Sequence, residues 1–365
     1  MEKYSRWRAS WLKKDAGTGI QPFLPPVPPK QPLDALGALR LAASFAICPI
    51  IAFARLLMLA LLALLHLVLV DAVSMVLPGA VARLWKGLLA SCLCRLALFV
   101  CGFYYIPTEM VSLRRGRGHA TRAEKWDVKS GDVIIANWSS YVDVLYLQLR
   151  FAPVFTQCFQ KTNTLRMVSF WEAIRLTGAV PELEPRPGYK TSSMSELVQH
   201  VQNNDLGPIV VFPEGTTSNG KALLKFLPLF QEYHLPLRHL TLRILSLRYD
   251  YHHFSPTFSA GTKWTHIFRL CSQFQNALSV RYLASSESPS SPSFTPNAPT
   301  TASSTTINTK ADLPKQDSEG DVVGAQTLLL LGALSRLRRT GMGVIEKRAF
   351  LEYFAQMQSG YAKKK

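Results

Sequence analysis

The sequence predicts an α/β fold, a sheet flanked by helices, with an N-terminal hydrophobic membrane-anchoring helical segment in front of it. Three observations predict this. Val133-Ile134-Ile135-Ala136 and Pro208-Ile209-Val210-Val211-Phe212 are short apolar runs bounded by turn residues, and residues 240–247 alternate, so all three have strand character. Helical stretches, one from Val144 onward and an amphipathic one over residues 192–201, separate them in the order expected of a sheet with helices on its faces. Ahead of both lies a nearly unbroken apolar stretch over residues 41–70, longer than the roughly 20 residues that cross a bilayer.

Along the chain, residues 1–37 form a basic, aromatic leader (Lys3, Arg6, Trp7, Arg8, Trp11) that runs into Gln21-Pro22-Phe23-Leu24-Pro25-Pro26, an extended polyproline-like composition. Residues 38–106 are the anchor. Arg55 near the middle of its first stretch costs at least ~2.5 kcal/mol in a membrane centre. Two half-length helices meeting near Arg55 would return its head to the interface, and a tilted single span is the alternative. A second stretch, residues 84–106, carries Lys86 and Arg95 and reads as an interfacial helix or as a core helix of the globular part. Residues 107–284 form that globular domain. Residues 285–320 are Ser/Thr/Pro-rich and read as a disordered insertion. Residues 321–365 hold an apolar docking helix over 322–337, a short helix around Phe350 and the tail Lys363-Lys364-Lys365.

The balance of charge narrows the partners. Lys and Arg number 41 against 24 Asp and Glu, a net +17, so an anionic partner is expected. No recognised nucleic-acid motif is present, and the hydrophobic first third selects a membrane and a phosphorylated substrate over nucleic acid. A hydrophobic content of 48% with mean hydropathy +0.08 is too low for a transporter. The six cysteines show no metal-ligand spacing with histidine and read as free thiols in a reducing compartment. His252 and His253 lack cysteine or carboxylate partners, so no metal is expected.

Two polar segments follow buried strands directly: Asn137-Trp138-Ser139-Ser140-Tyr141-Val142-Asp143, and Phe212-Pro213-Glu214-Gly215-Thr216-Thr217-Ser218-Asn219-Gly220-Lys221. The carboxyl ends of neighbouring strands are where open α/β sheets bind ligands. Either segment alone is an ordinary capped strand-to-helix turn; the pair together marks a site.

The pair resembles the glycerol-phosphate and lysophospholipid acyltransferase family, whose blocks read Asn-His-x-x-x-x-Asp and Phe-Pro-Glu-Gly-Thr. The likeness runs from about Asp132 to Arg248. The continuation Thr217-Ser218-Asn219-Gly220 is similar to the lysophosphatidylcholine-type branch, whereas the leader, the Trp-containing block and the insertion resemble the fungal lysophosphatidic acid branch. The resemblance implies an α/β acyltransferase domain over 107–284, acyl-CoA as co-substrate, no cofactor, and lysophosphatidic acid or another lysophospholipid as acceptor. It also implies an endoplasmic reticulum membrane and lipid droplet location with the domain in the cytosol. A family histidine, oriented by an aspartate, deprotonates the acceptor hydroxyl. Carried over, Asp143 is the orienting acid; Asn137, Glu214, Gly215, Thr216 and Lys221 line the acceptor site; and Thr217 stands where many relatives have a phosphate-binding arginine. Arg186 and Lys225 add charge nearby.

Trp138 occupies the histidine position, and an indole N–H only donates hydrogen bonds. Three readings follow: another histidine (His119, His200, His234 or His239) reaches the site; Asp143 acts as base with a raised pKa; or the chain has kept lipid binding without chemistry. The expected reaction is conversion of lysophosphatidic acid to phosphatidic acid, the alternatives being a lysophosphatidylcholine-type acceptor or a non-catalytic lipid-binding or trafficking protein.

Overall fold

The computed structural model describes residues 21–27, 35–113, 126–235, 237, 240–251, 253–292, 294 and 320–362. The rest of the leader, residues 295–319 of the insertion, His119, His239, His252 and the tail 363–365 lie outside the described residues.

Seven strands form one sheet: β1 (Thr108–Val111), β2 (Val133–Ala136), β3 (Val154–Cys158), β4 (Leu165–Val168), β5 (Ile209–Val211), β7 (Leu242–Asp250) and β8 (Ala277–Leu283), with β6 (Ala222–Leu223) lying outside it. Their order is β1-β8-β7-β2-β5-β3-β4. The four central strands β7, β2, β5 and β3 are parallel, while β8 and β4 run antiparallel at the two flanks. Both faces of the centre are buried, which is why β2 and β5 read as unbroken apolar runs. Successive residues still divide between two cores. Val133, Ile135, Ile209 and Val211 pack with Met194, Leu197, Val198 and Val201 of helix α6 (Met194–Asn203). Ile134, Ala136, Val210 and Leu245 pack with Val142 and Leu147 of helix α4 (Tyr141–Phe151) and Leu270 of helix α7 (Lys263–Cys271). Ser193 opens α6 with a capping box closed by Glu196, a device worth ~1 kcal/mol. The short helix α5 (Phe170–Leu176) follows β4.

The anchor differs from the sequence expectation. Helix α1 (Ala35–Leu65) runs through Pro49 and Arg55 without a break, widens into a π-helical segment (His66–Ala72) and ends as α2 (Val73–Val76). The chain reverses at Leu77 and Pro78, where Leu77 is extended as residues before proline tend to be, and returns as α3 (Gly79–Val100). The hairpin therefore turns at Leu77-Pro78, not at Arg55. The physical reason is where Arg55 points: its guanidinium donates to the carbonyls of Cys271, Gln273 and Phe274 and to the Tyr104 hydroxyl. These are carbonyls at and just beyond the C-terminal end of α7, where a cation is favoured. Residues Ile47–Val76 form one helical run of 30 residues with mean hydropathy 2.6, long and apolar enough to cross a membrane. In α3, Leu84, Leu88 and Leu96 are exposed while Ala90 and Leu98 are buried, so one helix serves both an outer apolar face and the domain core.

The elements after residue 320 close on the domain. Helix α8 (Val322–Ser335) buries Val323, Leu330, Leu331 and Leu334 in the first core. It is followed by β9 (Arg338–Arg339), which pairs in parallel with β6, and by α9 (Val344–Ala362), longer than the short helix expected around Phe350. The expectation of disorder from residue 285 is corrected at its start. Residues Ser285–Glu287 form a 3₁₀ turn, the Glu287 carboxylate accepts from Ser112 Oγ and Leu113 N, and Ser288 Oγ donates to Leu242 O at 2.6 Å. Ser288 thus satisfies a backbone carbonyl at the start of β7, which composition alone cannot show.

Candidate active site

The two polar segments emerge from the carboxyl ends of the adjacent parallel strands β2 and β5 and are joined where Ser218 N donates to Trp138 O at 3.0 Å. In the first, Asn137 clamps the neighbouring strand: its amide donates to Leu247 O and accepts from Leu247 N, both at 2.9 Å. Ser140 caps α4, accepting from Val142 N, and donates its hydroxyl to Pro256 O at 2.7 Å. Asp143 is fully buried. Its Oδ2 accepts from the backbone N–H of Ser139 and of Ser140, each at 2.7 Å, and its Oδ1 from the Tyr249 hydroxyl at 2.6 Å. Burial raises its pKa to about 6, against those donors, which pull it down. The residue that orients Asp143 is thus Tyr249, and the turn at the start of α4 accounts for its other oxygen.

In the second segment Phe212 stacks on the Trp138 ring, centroids 4.7 Å apart and planes 14° from parallel. Glu214 is fully buried; one oxygen accepts from Trp138 N at 3.3 Å and the other from Leu224 N at 3.1 Å. Burial pushes its pKa up to about 8, with the nearby Asp143 adding to the rise. Gly215 sits at φ +64, where a Cβ would lie 2.8 Å from Leu227 Cδ1, so the turn requires glycine. Asn219 binds the leader: its N–H donates to Pro22 O, and its side-chain amide to the carbonyls of Gln21 and Leu24. Beneath the loop lies Lys347 of α9, fully buried, with Nζ donating to Thr217 O at 3.0 Å and to Ser259 O. Burial lowers its pKa to about 7.

A narrow, part-open cleft opens on these loops, and its lining includes Trp138, Phe212, Gly215, Thr216, Cys158 and Glu182. Of the sequence-derived residues, Trp138, Gly215 and Thr216 reach it. Asn137 and Glu214 hold backbone groups with their polar atoms and are not among the lining residues. Thr217 is fully buried, and Lys221 is exposed beyond the lining residues. Arg186 pairs with Glu182 at 2.5 Å from an exposed position. The Cys158 thiol, pushed up to about 12 by burial, is no nucleophile.

None of the histidines among the described residues lines the cleft. His200 and His234 are exposed. His266 is held neutral: Nε2 faces the carbonyls of Ser255 and Thr257, so it carries the proton, and Nδ1 accepts from the Tyr141 hydroxyl at 3.0 Å. Burial lowers its pKa to about 4. Lys347 escaped the sequence reading. Its signal was a lysine on the face of α9 that also carries the buried Val344 and Phe350.

Residues 117–230 match the family model described as Acyltransferase. The chain is 25% identical over 234 residues to a Schizosaccharomyces pombe protein named as a provisional lysophosphatidic acid:oleoyl-CoA acyltransferase, covering 63% of this chain and 68% of that protein. It is 27% identical over 205 residues to a lysophospholipid acyltransferase of Arabidopsis thaliana, covering 52% of this chain and 49% of the relative, about half its length. The crystal structure of the 1-acyl-sn-glycerophosphate acyltransferase PlsC of Thermotoga maritima aligns with 65% of this chain and 85% of its own, at 15% identity and a TM-score of 0.35.

Proposed function

We propose, on the premise that residues 117–230 are an acyltransferase-family domain, that this chain transfers a fatty acyl group from acyl-CoA to the free hydroxyl of lysophosphatidic acid at a membrane surface, giving phosphatidic acid. The observation that carries the reading is the joined pair of polar loops on β2 and β5, with a cleft on them, in a domain fixed to an apolar helical hairpin. Ile50, Phe53, Leu57, Leu61 and Leu64 form an exposed stripe along α1, continued by Leu84 and Leu88 of α3 and by Trp264 and Phe274 near α7. Such a stripe suits a lipid surface. Arg55 ties the hairpin to the domain, so a lysolipid held in that surface is presented close to the cleft. The endoplasmic reticulum membrane and lipid droplet, with the domain in the cytosol, belong to the same proposal.

In the reaction the acceptor oxygen attacks the thioester carbon, the C–S bond breaks, and the hydroxyl proton ends on the coenzyme A sulfur. With no described histidine lining the cleft, alignment of the two substrates supplies the main acceleration.

One alternative acceptor is lysophosphatidylcholine. The alternative class, lipid binding without chemistry, is favoured by Trp138 in the histidine position. Purified protein in detergent, given labelled oleoyl-CoA with lysophosphatidic acid, lysophosphatidylcholine or lysophosphatidylethanolamine, separates them. The expected result is transfer to lysophosphatidic acid first; binding of lysolipid with no transfer to any acceptor selects the non-catalytic reading.

A further inference from the structure

Trp138 is 7% exposed, yet its indole N–H has no hydrogen-bond partner. The other described tryptophans behave differently. Trp85 donates to Leu69 O, Trp126 to Leu283 O and Trp171 to Asp71 Oδ2, at 2.6, 3.2 and 2.8 Å, and Trp264 is 77% exposed to solvent. A buried donor left without an acceptor costs on the order of 1–3 kcal/mol, and such a group is accounted for by strain, by a catalytic role or by a small partner such as water.

The ring is also fixed in place. It stacks on Phe212, its N–H backbone group binds Glu214, and its carbonyl holds Ser218 N. A second orphan lies on the partner loop, where the fully buried Thr217 hydroxyl has no partner either. The cleft wall around Trp138 is mixed, with Phe212, Leu176 and Pro181 beside Gln157, Glu182 and Thr216. A donor fixed in such a wall by stacking has the form of an oxyanion stabiliser, because its ring is already held in place when charge develops.

We infer that Trp138 is a catalytic residue whose indole N–H donates to the thioester carbonyl oxygen as it becomes the oxyanion of the tetrahedral intermediate. The inference rests on the acyl-transfer reading above. It gives the residue at the family's histidine position a different job: the donor stabilises the oxyanion while the acceptor C–O bond forms. When that intermediate collapses, the C–S bond breaks, and the acceptor proton leaves on the coenzyme A thiol.

Two variants test it. Trp138→Phe keeps an aromatic ring on Phe212 and removes the donor. Replacement of Trp138 by benzothienylalanine, with sulfur in place of the indole N–H, keeps both size and stacking if the phenylalanine variant folds poorly. With oleoyl-CoA and the best acceptor, both are expected to lower kcat by 10²–10³-fold with KM changed less than about threefold; the benzothienylalanine protein melts at or above the wild-type temperature, because the unpartnered donor is gone. A benzothienylalanine enzyme with kcat within threefold of wild type overturns the inference and leaves the acyl-transfer reading intact. A wild-type protein that transfers nothing to any acceptor overturns both.

Discussion

Replacing Gly215 by alanine probes the loop on which the whole site depends. The backbone there is left-handed at φ +64, which costs an L-residue roughly 1–2 kcal/mol. The new Cβ would lie 2.8 Å from Leu227 Cδ1 and 3.0 Å from Val344 Cγ2, inside the roughly 3.5 Å at which carbons rest against each other. Leu227 and Val344 are both buried, 4% and 3% exposed, so neither swings into solvent, and forced repacking of this kind adds about 1–3 kcal/mol. The sum is about 2–5 kcal/mol. At the few degrees per kcal/mol typical of domains this size, Gly215→Ala melts on the order of 5–15 °C below wild type in detergent, and acyl transfer falls with it because the peptide of Thr216 moves. Adding Val344→Ala relieves part of the steric cost and none of the backbone cost, so the double mutant is more stable than the sum of the two singles by about 1 kcal/mol or more. A Gly215→Ala protein that melts within a degree of wild type and keeps its activity refutes the reasoning.

Three further outcomes are expected. Asp143→Asn keeps acceptors for Ser139 N and Ser140 N and lets the Tyr249 hydroxyl turn round, so it retains most stability and activity; Asp143→Ala removes all of these contacts and loses about 2–4 kcal/mol. Loss of turnover in a normally folded Asp143→Asn protein would instead make Asp143 the base, a comparison read by kcat beside melting. Stability also depends on pH with two opposite limbs. Glu214, raised from 4.5 to about 8 in the fold, favours the native state at low pH, a contribution lost as pH rises through about 8. Lys347, lowered from 10.5 to about 7, penalises the native state at low pH, a penalty relieved as pH rises from about 7 to 10.5. A stability minimum near pH 7–8 is expected in denaturant titrations, with Glu214→Gln flattening the acid limb and Lys347→Met the alkaline one; a monotonic curve contradicts it. Finally, Arg55→Met takes the guanidinium from three carbonyls at the end of α7 and should open the seam between α1 and α7 to limited proteolysis while leaving membrane partitioning unchanged; identical digestion patterns count against the clip.

Much of the sheet was legible because its centre is buried on both faces. Residues 133–136 and 209–211 announce themselves as apolar runs, and the helix over residues 192–201 by its amphipathic pattern. The strand β8 carries an equally regular alternation, with Leu278, Val280 and Tyr282 buried between Ser279 and Arg281, but it directly precedes the Ser/Thr/Pro-rich stretch and passed unread. The site was legible as a pair of segments, but the contacts of its residues were not. Asn137 and Glu214 are polar residues in polar motifs, and their partners, Leu247 and Leu224, are backbone groups that leave no mark in the sequence. Arg55 was misplaced for a similar reason: the carbonyls it meets lie more than 200 positions away.

The loop over residues 217–220 is gripped by two distant parts of the chain, by Gln21, Pro22 and Leu24 through Asn219 and by Lys347 through Thr217, with Phe23 buried against Phe350. The second polar segment therefore gains its floor only when α9 has docked. Strands β2 and β5 can pair and both segments can form without it, so a change that loosens α9, far from the cleft in sequence, reaches the site through this loop.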